Sequence, residues 1–133
     1  MESIDHVDLV VADLDRSLPF YRGLFRVLGG VHEGEIVGER GERVVYLSHR
    51  PGDAAIGLRE RRSGASPHDR YALGFHHLAL AAASRERVEA VAAWAEASGV
   101  RIESGPAEYE YSPGYYAVFL RDPDDLKLEV VHR

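Results

Sequence analysis

The sequence predicts an α+β fold made of two βαβββ modules, and three observations carry that prediction. Two strand-like hexapeptides begin with histidine, His6-Val7-Asp8-Leu9-Val10-Val11 and His77-Leu78-Ala79-Leu80-Ala81-Ala82. The second begins 71 residues after the first, and the helix-ending glycines Gly29 and Gly99 lie 70 apart, so the chain repeats itself once. Behind each helix come three further strand-like segments. The turns Arg50-Pro51-Gly52-Asp53 and Asp122-Pro123-Asp124-Asp125 separate the last two segments of each half.

Composition bounds the function. With 133 residues, 45% hydrophobic and 29% charged, the chain can bury a core and is neither disordered nor membrane-embedded. No apolar run approaches the roughly 20 residues of a bilayer-spanning helix. The first strand begins almost at Met1, which leaves no room for a signal peptide and makes a cytoplasmic location the default expectation. Without cysteine, disulfides, thiolate zinc sites and cysteine nucleophiles are excluded. A formal net charge of -6 argues against nonspecific binding to nucleic acid or an anionic membrane.

Each element has its own signal. In the first strand Val7, Leu9 and Val11 share one face, and His6, Asp8 and Val10 share the other. The first helix, about Asp15 to Leu28, turns Leu14, Leu18, Tyr21 and Phe25 inward, with Pro19 in its first turn, and stops at Gly29-Gly30. Strands follow at about Glu35 to Glu39, Arg43 to Ser48 and Ala54 to Glu60. The stretch 61–74, with Ser-Gly-Ala-Ser-Pro at its centre, reads as a linker between module one (about 1–60) and module two (about 75–133). In the second module, Ser84 caps a helix running to about Ser98 that carries Val88, Val91, Ala92 and Ala95 inward. Its strands run at about Arg101 to Tyr111, Tyr115 to Arg121 and Leu126 to His132.

The last strand carries the chemistry. Leu126, Leu128 and Val130 form its apolar face, leaving Lys127 and Glu129 on the other. Leu78 and Leu80 match Val7 and Leu9, so His77 matches His6, while His76 points the opposite way. Two imidazoles and one carboxylate, His6, His77 and Glu129, therefore share the less apolar face of their strands, as ligands of one divalent metal would. Asp8 and Lys127 share that side; Asp8 either orients a ligand from behind or is a solvated edge charge. By the same parity Tyr46, Tyr115 and Phe119 face the metal side, with Arg59 beyond Gly57 as an anion anchor. These aromatics either line a small-molecule pocket or pack at an interface, and Tyr109, Tyr111, Tyr115 and Tyr116 around Pro113-Gly114 could equally form a lid. His32, His49, His68, His76 and His132 have no such support and read as surface or packing residues.

Two motifs in register with the repeat make the chain resemble the vicinal oxygen chelate superfamily, which includes glyoxalases, bleomycin-resistance proteins and extradiol dioxygenases. One is His6 to Ser17, reading HVDLVVADLDRS, followed by Phe20-Tyr21-Arg22; the other is Gly114 to Glu129, reading GYYAVFLRDPDDLKLE. The resemblance covers essentially the whole chain and implies that the two modules curl into an open cup-shaped mixed sheet holding a divalent metal. The usual Asp-Pro-Asp-Gly turn has Asp125 in place of glycine, and Asp tolerates left-handed conformations.

The family draws up to four ligands from the first and last strands of its modules, and His6, His77 and Glu129 fill three. Aligning Ile56-Gly57-Leu58 with Leu128-Glu129-Val130 puts Gly57 at the fourth place, where it offers no side chain. Glyoxalase-type isomerases generally use four ligands, so this counts against that reaction. Glu60 could substitute only through a bulge. The resemblance implies a metal-dependent enzyme, dioxygenase-like or lyase/transferase-like, acting on a small oxygen-rich substrate with iron, manganese, zinc or nickel. The alternative is a metal-free, drug-binding resistance protein of the bleomycin-resistance type. Unpaired sheet edges and the family pattern make a homodimer the expected assembly.

Overall fold

Parallel pairing of a module's first and last strands needs a long crossover, and each half of this chain supplies one. The computed structural model describes residues 3–133 and divides into two units, the first ending at Ala65 and the second spanning Ser66–Arg133. The first unit contains β1 (His6–Val11), α1 (Leu14–Leu28), β2 (His32–Val37), β3 (Arg43–Ser48) and β4 (Ala55–Glu60). The second contains β5 (Leu78–Ala81), α2 (Arg85–Ala97), β6 (Arg101–Glu108), β7 (Tyr116–Arg121) and β8 (Lys127–His132). Each unit is an open, mixed four-stranded sheet, ordered β1-β4-β3-β2 and β5-β8-β7-β6, with its outer parallel pair closed by the crossover.

The helices form where the sequence caps them. Asp13 accepts from the Asp15 N–H at 2.9 Å at the start of α1, and Gly29 ends it at φ 151° with its N–H on the Phe25 carbonyl. Its buried stripe includes Leu14, Leu18, Tyr21, Leu24 and Phe25. Pro19 is the sixth residue of α1, in its second turn and not its first, because the helix begins at Leu14. The carbonyl it deprives of a donor belongs to Asp15, an exposed residue that water can serve. Ser84 accepts from the Arg87 N–H at 3.2 Å and starts α2, whose Val88, Val91, Ala92 and Ala95 are buried. That helix lies against β6, β7 and β8.

Strand alternation holds at the edge and fails at the centre. In β1, Leu9 and Val11 are buried, whereas His6, Asp8 and Val10 are exposed. In β7 the run Ala117 to Leu120 is buried on both faces, and in β8 Leu128, Glu129 and Val130 all are. A carboxylate in such a strand is out of water on either face. The strand β2 starts at His32 and stops at Val37, displaced from its expected span, because it is exposed throughout and carries no apolar alternation. The strand β6 stops at Glu108, and the chain returns through a Tyr109 N–H to Tyr115 carbonyl bond of 2.9 Å. Asp125 takes φ 63°, the left-handed turn conformation that a glycine usually fills.

Glu60 has a structural use. The β1–β4 register is regular, so Glu60 keeps the phase opposite to Gly57, and its Oε1 accepts from the Leu14 N–H at 3.0 Å at the start of α1. Glu60→Ala is expected to cost about 1–2 kcal/mol, the price of an unsatisfied helix-start donor. Chemical denaturation should register that loss while metal affinity stays at the wild-type value.

Candidate metal centre and its surroundings

One row of each sheet holds the polar side chains. In the second unit Ala79 on β5, Glu129 on β8 and Phe119 on β7 lie side by side. The corresponding row of the first unit is Asp8 on β1, Gly57 on β4 and Tyr46 on β3. Glu129 and Gly57 thus hold equivalent central places in their sheets. The carboxylate of the first unit comes from the neighbouring strand. A Cβ built on Gly57 would fall inside contact distance of Asp8 Oδ1 and 2.6 Å from Tyr46 Cε1, so those side chains fill the space above the glycine.

Glu129 is 2% exposed. His77 Nε2 lies 3.2 Å from its Oε2, and the Tyr115 hydroxyl donates to its Oε1. Burial, followed by the Glu129 hydrogen bond, pushes the Tyr115 phenol up to about 12, so it stays a neutral donor at ordinary pH. Both nitrogens of His77 are engaged, since its Nδ1 lies 2.7 Å from Nδ1 of His76. The two rings can meet because β5 starts only at Leu78, so the alternation that sends His76 and His77 to opposite faces does not apply to them. Burial and the neighbouring His77, Lys127 and Arg70 push His76 below the ordinary histidine range.

His6 opens β1 with its Nδ1 2.6 Å from Asp5 Oδ1 and its Nε2 4.0 Å from Asp8 Oδ1. The Asp5 hydrogen bond is the main cause of a raised pKa at His6. Asp8 accepts from Arg59 Nη2 at 2.6 Å and from the Tyr46 hydroxyl at 3.1 Å, so Arg59 is committed to a carboxylate of its own unit. Within neither unit do three His, Asp or Glu side chains converge among the described residues; the second unit brings together His77 and Glu129. Of the other histidines, His49 bonds the Gly30 carbonyl at 2.8 Å and His132 the Ala82 carbonyl at 3.0 Å.

Aromatic side chains continue from this row. Phe119 lies 6.5 Å from the His77 ring and 5.4 Å from Tyr109, which stacks on Tyr111. Tyr111 meets Tyr115 edge-on at 5.2 Å. The loop from Glu108 to Tyr115 lines an open groove of ≈ 690 Å³. Lys127 Nζ sits 4.8 Å over the Phe119 ring and 3.1 Å from Glu103.

Glu103 is a residue that strand parity gave no reason to single out, because β6 shifts register on both sides of Ser104. Burial alone would raise its pKa, but hydrogen bonds from Arg70, Lys127 and Arg121 hold it down at about 2. A depressed carboxylate contributes stability above its unfolded pKa and loses it as pH falls through the folded one. Glu103→Gln should therefore cost about 1–2 kcal/mol at pH 7, once exposure is discounted from the linkage value. Denaturant titrations of both proteins should show that difference shrinking between pH 4.5 and about 2.

These features define a paired-βαβββ protein of the α+β class whose first and last strands place histidine and carboxylate on a sheet face. Residues 3–130 match the family model for the Glyoxalase/Bleomycin resistance protein/Dioxygenase superfamily, and the chain belongs to that superfamily. No curated protein sequence matches it. Among solved structures it is similar to a glyoxylase/bleomycin resistance protein/dioxygenase domain from Frankia sp. EAN1pec, at 25% identity and TM-score 0.78, covering 98% of this chain and 97% of that one. It is also similar to a glyoxalase/bleomycin resistance protein from Albidiferax ferrireducens T118, at 27% identity and TM-score 0.72, covering 98% of each chain. The fold is shared with the fosfomycin resistance protein FosX from Listeria monocytogenes, solved with Mn(II) and a sulfate ion, at 17% identity and TM-score 0.67, covering 100% of this chain and 93% of that one. No described helix is long and apolar enough to cross a membrane.

Proposed function

We propose that the protein is a divalent-metal-dependent enzyme acting on a small oxygen-rich substrate, with His6, His77 and Glu129 as its metal ligands. The observation that carries this reading is Glu129, a carboxylate 2% exposed with an imidazole 3.2 Å away and the neutral Tyr115 hydroxyl as its hydrogen-bond donor. Burying such a group is costly, and a cation offsets the cost. The donor set suits the ion, since oxygen and imidazole nitrogen are ligands of iron, manganese, zinc and nickel. A divalent ion held there would chelate neighbouring substrate oxygens and stabilise negative charge developing on them. The FosX relative, whose structure holds Mn(II), supports the reading by analogy of fold.

Phe119, Tyr115 and Tyr46 then face the apolar body of the substrate, and Arg59 meets a substrate anion only by sharing its charge with Asp8. Dioxygenase-like and lyase- or transferase-like chemistry both fit this arrangement. We place the working site in a homodimer, because open sheets with unpaired edges favour association; sedimentation showing only monomer at micromolar concentration would contradict that. A second reading, a non-catalytic drug-binding protein of the bleomycin-resistance type, is favoured by the aromatic groove around Tyr109, Tyr111 and Tyr115. A panel of catechols and hydroxy acids, screened by thermal shift with and without metal, separates the two. Metal-dependent shifts that weaken in Phe119→Ala support the enzyme, and shifts indifferent to metal support the binder.

A further inference from the structure

We infer that the second unit carries an oxyanion-binding site on the sheet face that holds Glu129, built from Lys127, Arg121 and Arg70, and that the substrate of the proposed reaction is an acid. The site stands on these residues alone; that its occupant is the substrate rests on the metal reading. Arg121 and Lys127 face each other across β7 and β8, and the next pair along the same face is Phe119 and Glu129. Arg70 reaches the same place from the segment before β5. All three cations converge on one carboxylate. Arg70 Nη2 at 3.1 Å and Arg121 Nε at 2.5 Å share Oε1 of Glu103, and Lys127 Nζ is 3.1 Å from its Oε2.

One carboxylate does not balance that cluster. Asp125 adds a second, 3.9 Å from Arg121 Nη1, but it is exposed and shared with Arg101. Counted over these ion pairs, four positive charges meet two negative ones. The excess is held largely out of water, because the side chains of Arg70, Arg121 and Lys127 are only 18%, 21% and 17% exposed. Like charges gathered there repel and lose hydration, and an oxyanion offsets both costs. It also finds donors, since two guanidiniums and an ammonium carry more N–H groups than one carboxylate accepts. Arg59 in the first unit offers no such surplus, its guanidinium being met by Asp8 at 2.6 Å. Successive rows on one sheet face lie about 7 Å apart, and Lys127 Nζ, 4.8 Å over the Phe119 ring, joins the two rows. The substrate is therefore a small acid whose carboxylate or phosphate stands about 7 Å from the oxygens that would meet the metal.

Lys127 is the only lysine in the chain, so lysine-labelled protein gives one side-chain ammonium signal. The full chain is stripped of metal and dialysed free of chelator. Benzoate and phenyl phosphate are then titrated against that signal at constant ionic strength, with chloride and neutral benzyl alcohol as controls. The expected result is a saturable shift with the acids and none with the controls, and the tighter acid identifies the oxyanion. Arg121→Gln should weaken binding at least about tenfold, and Glu103→Gln, which removes the competing carboxylate, should tighten it by a similar factor. No saturable shift with either acid, or an Arg121→Gln variant that binds as tightly as wild type, overturns the site and leaves the metal reading standing. A Glu103→Gln variant that folds and binds no tighter marks the cluster as purely structural and overturns the site as well. Acid binding by a protein that takes up no zinc, iron, manganese or nickel overturns the metal reading and leaves the site.

Discussion

Glu129→Gln protein is expected to fold normally and to bind no stoichiometric divalent metal. The amide matches the carboxylate in shape, can keep a partner in the Tyr115 hydroxyl, and removes a negative charge that is 2% exposed in the middle of β8. Two imidazoles without that charge make a weak site, so the apparent Kd for zinc or manganese should rise by about a thousandfold or more. Stability of the metal-free variant should stay near wild type or exceed it, because an uncompensated buried carboxylate is removed. Calorimetric titration and metal analysis of untagged protein, set beside thermal melts, measure both. A variant that still binds metal stoichiometrically would remove Glu129 from the ligand set.

Gly57→Val is expected to destabilise the protein by about 3 kcal/mol, at the upper end of what overpacking costs. The sheet position itself favours a β-branched residue, so strand propensity alone would predict a gain. Packing decides the other way. A Cβ at residue 57 collides with Asp8 Oδ1 and lies 2.6 Å from Tyr46 Cε1, and Asp8 cannot withdraw without giving up its 2.6 Å bond from Arg59. Urea denaturation should give the loss, and Gly57→Val in an Asp8→Ala background should be markedly milder, because the colliding carboxylate is gone. Equal losses in the two backgrounds would show that Tyr46, and not Asp8, makes glycine necessary there.

The first unit pairs its carboxylate differently from the second. Where the second unit sets Glu129 beside His77, the first sets Asp8 near His6, and the carboxylate is met by a guanidinium. The same sheet row therefore holds a carboxylate beside a positive group in the first unit and one without a cationic side chain in the second. The proposed ion serves the second.

The sequence by itself determined the repeat, the α+β class, both helices with the Gly29 stop of α1 and the Ser84 cap of α2, and the order of elements within each module. These depend on local periodicity, on turn chemistry at Pro51-Gly52 and Pro123 to Asp125, and on a family pattern covering the whole chain. Only the tertiary structure decided what the polar side chains near that row touch. Asp8 over Gly57, Glu60 on the Leu14 N–H and Glu103 under three cations join residues 38 or more positions apart, 46 apart, and across a register shift. Strand parity assigns a face but not a partner, and it ends where the strand ends. That is why His76 reads as a packing residue in the sequence and stands 2.7 Å from Nδ1 of His77 in the fold.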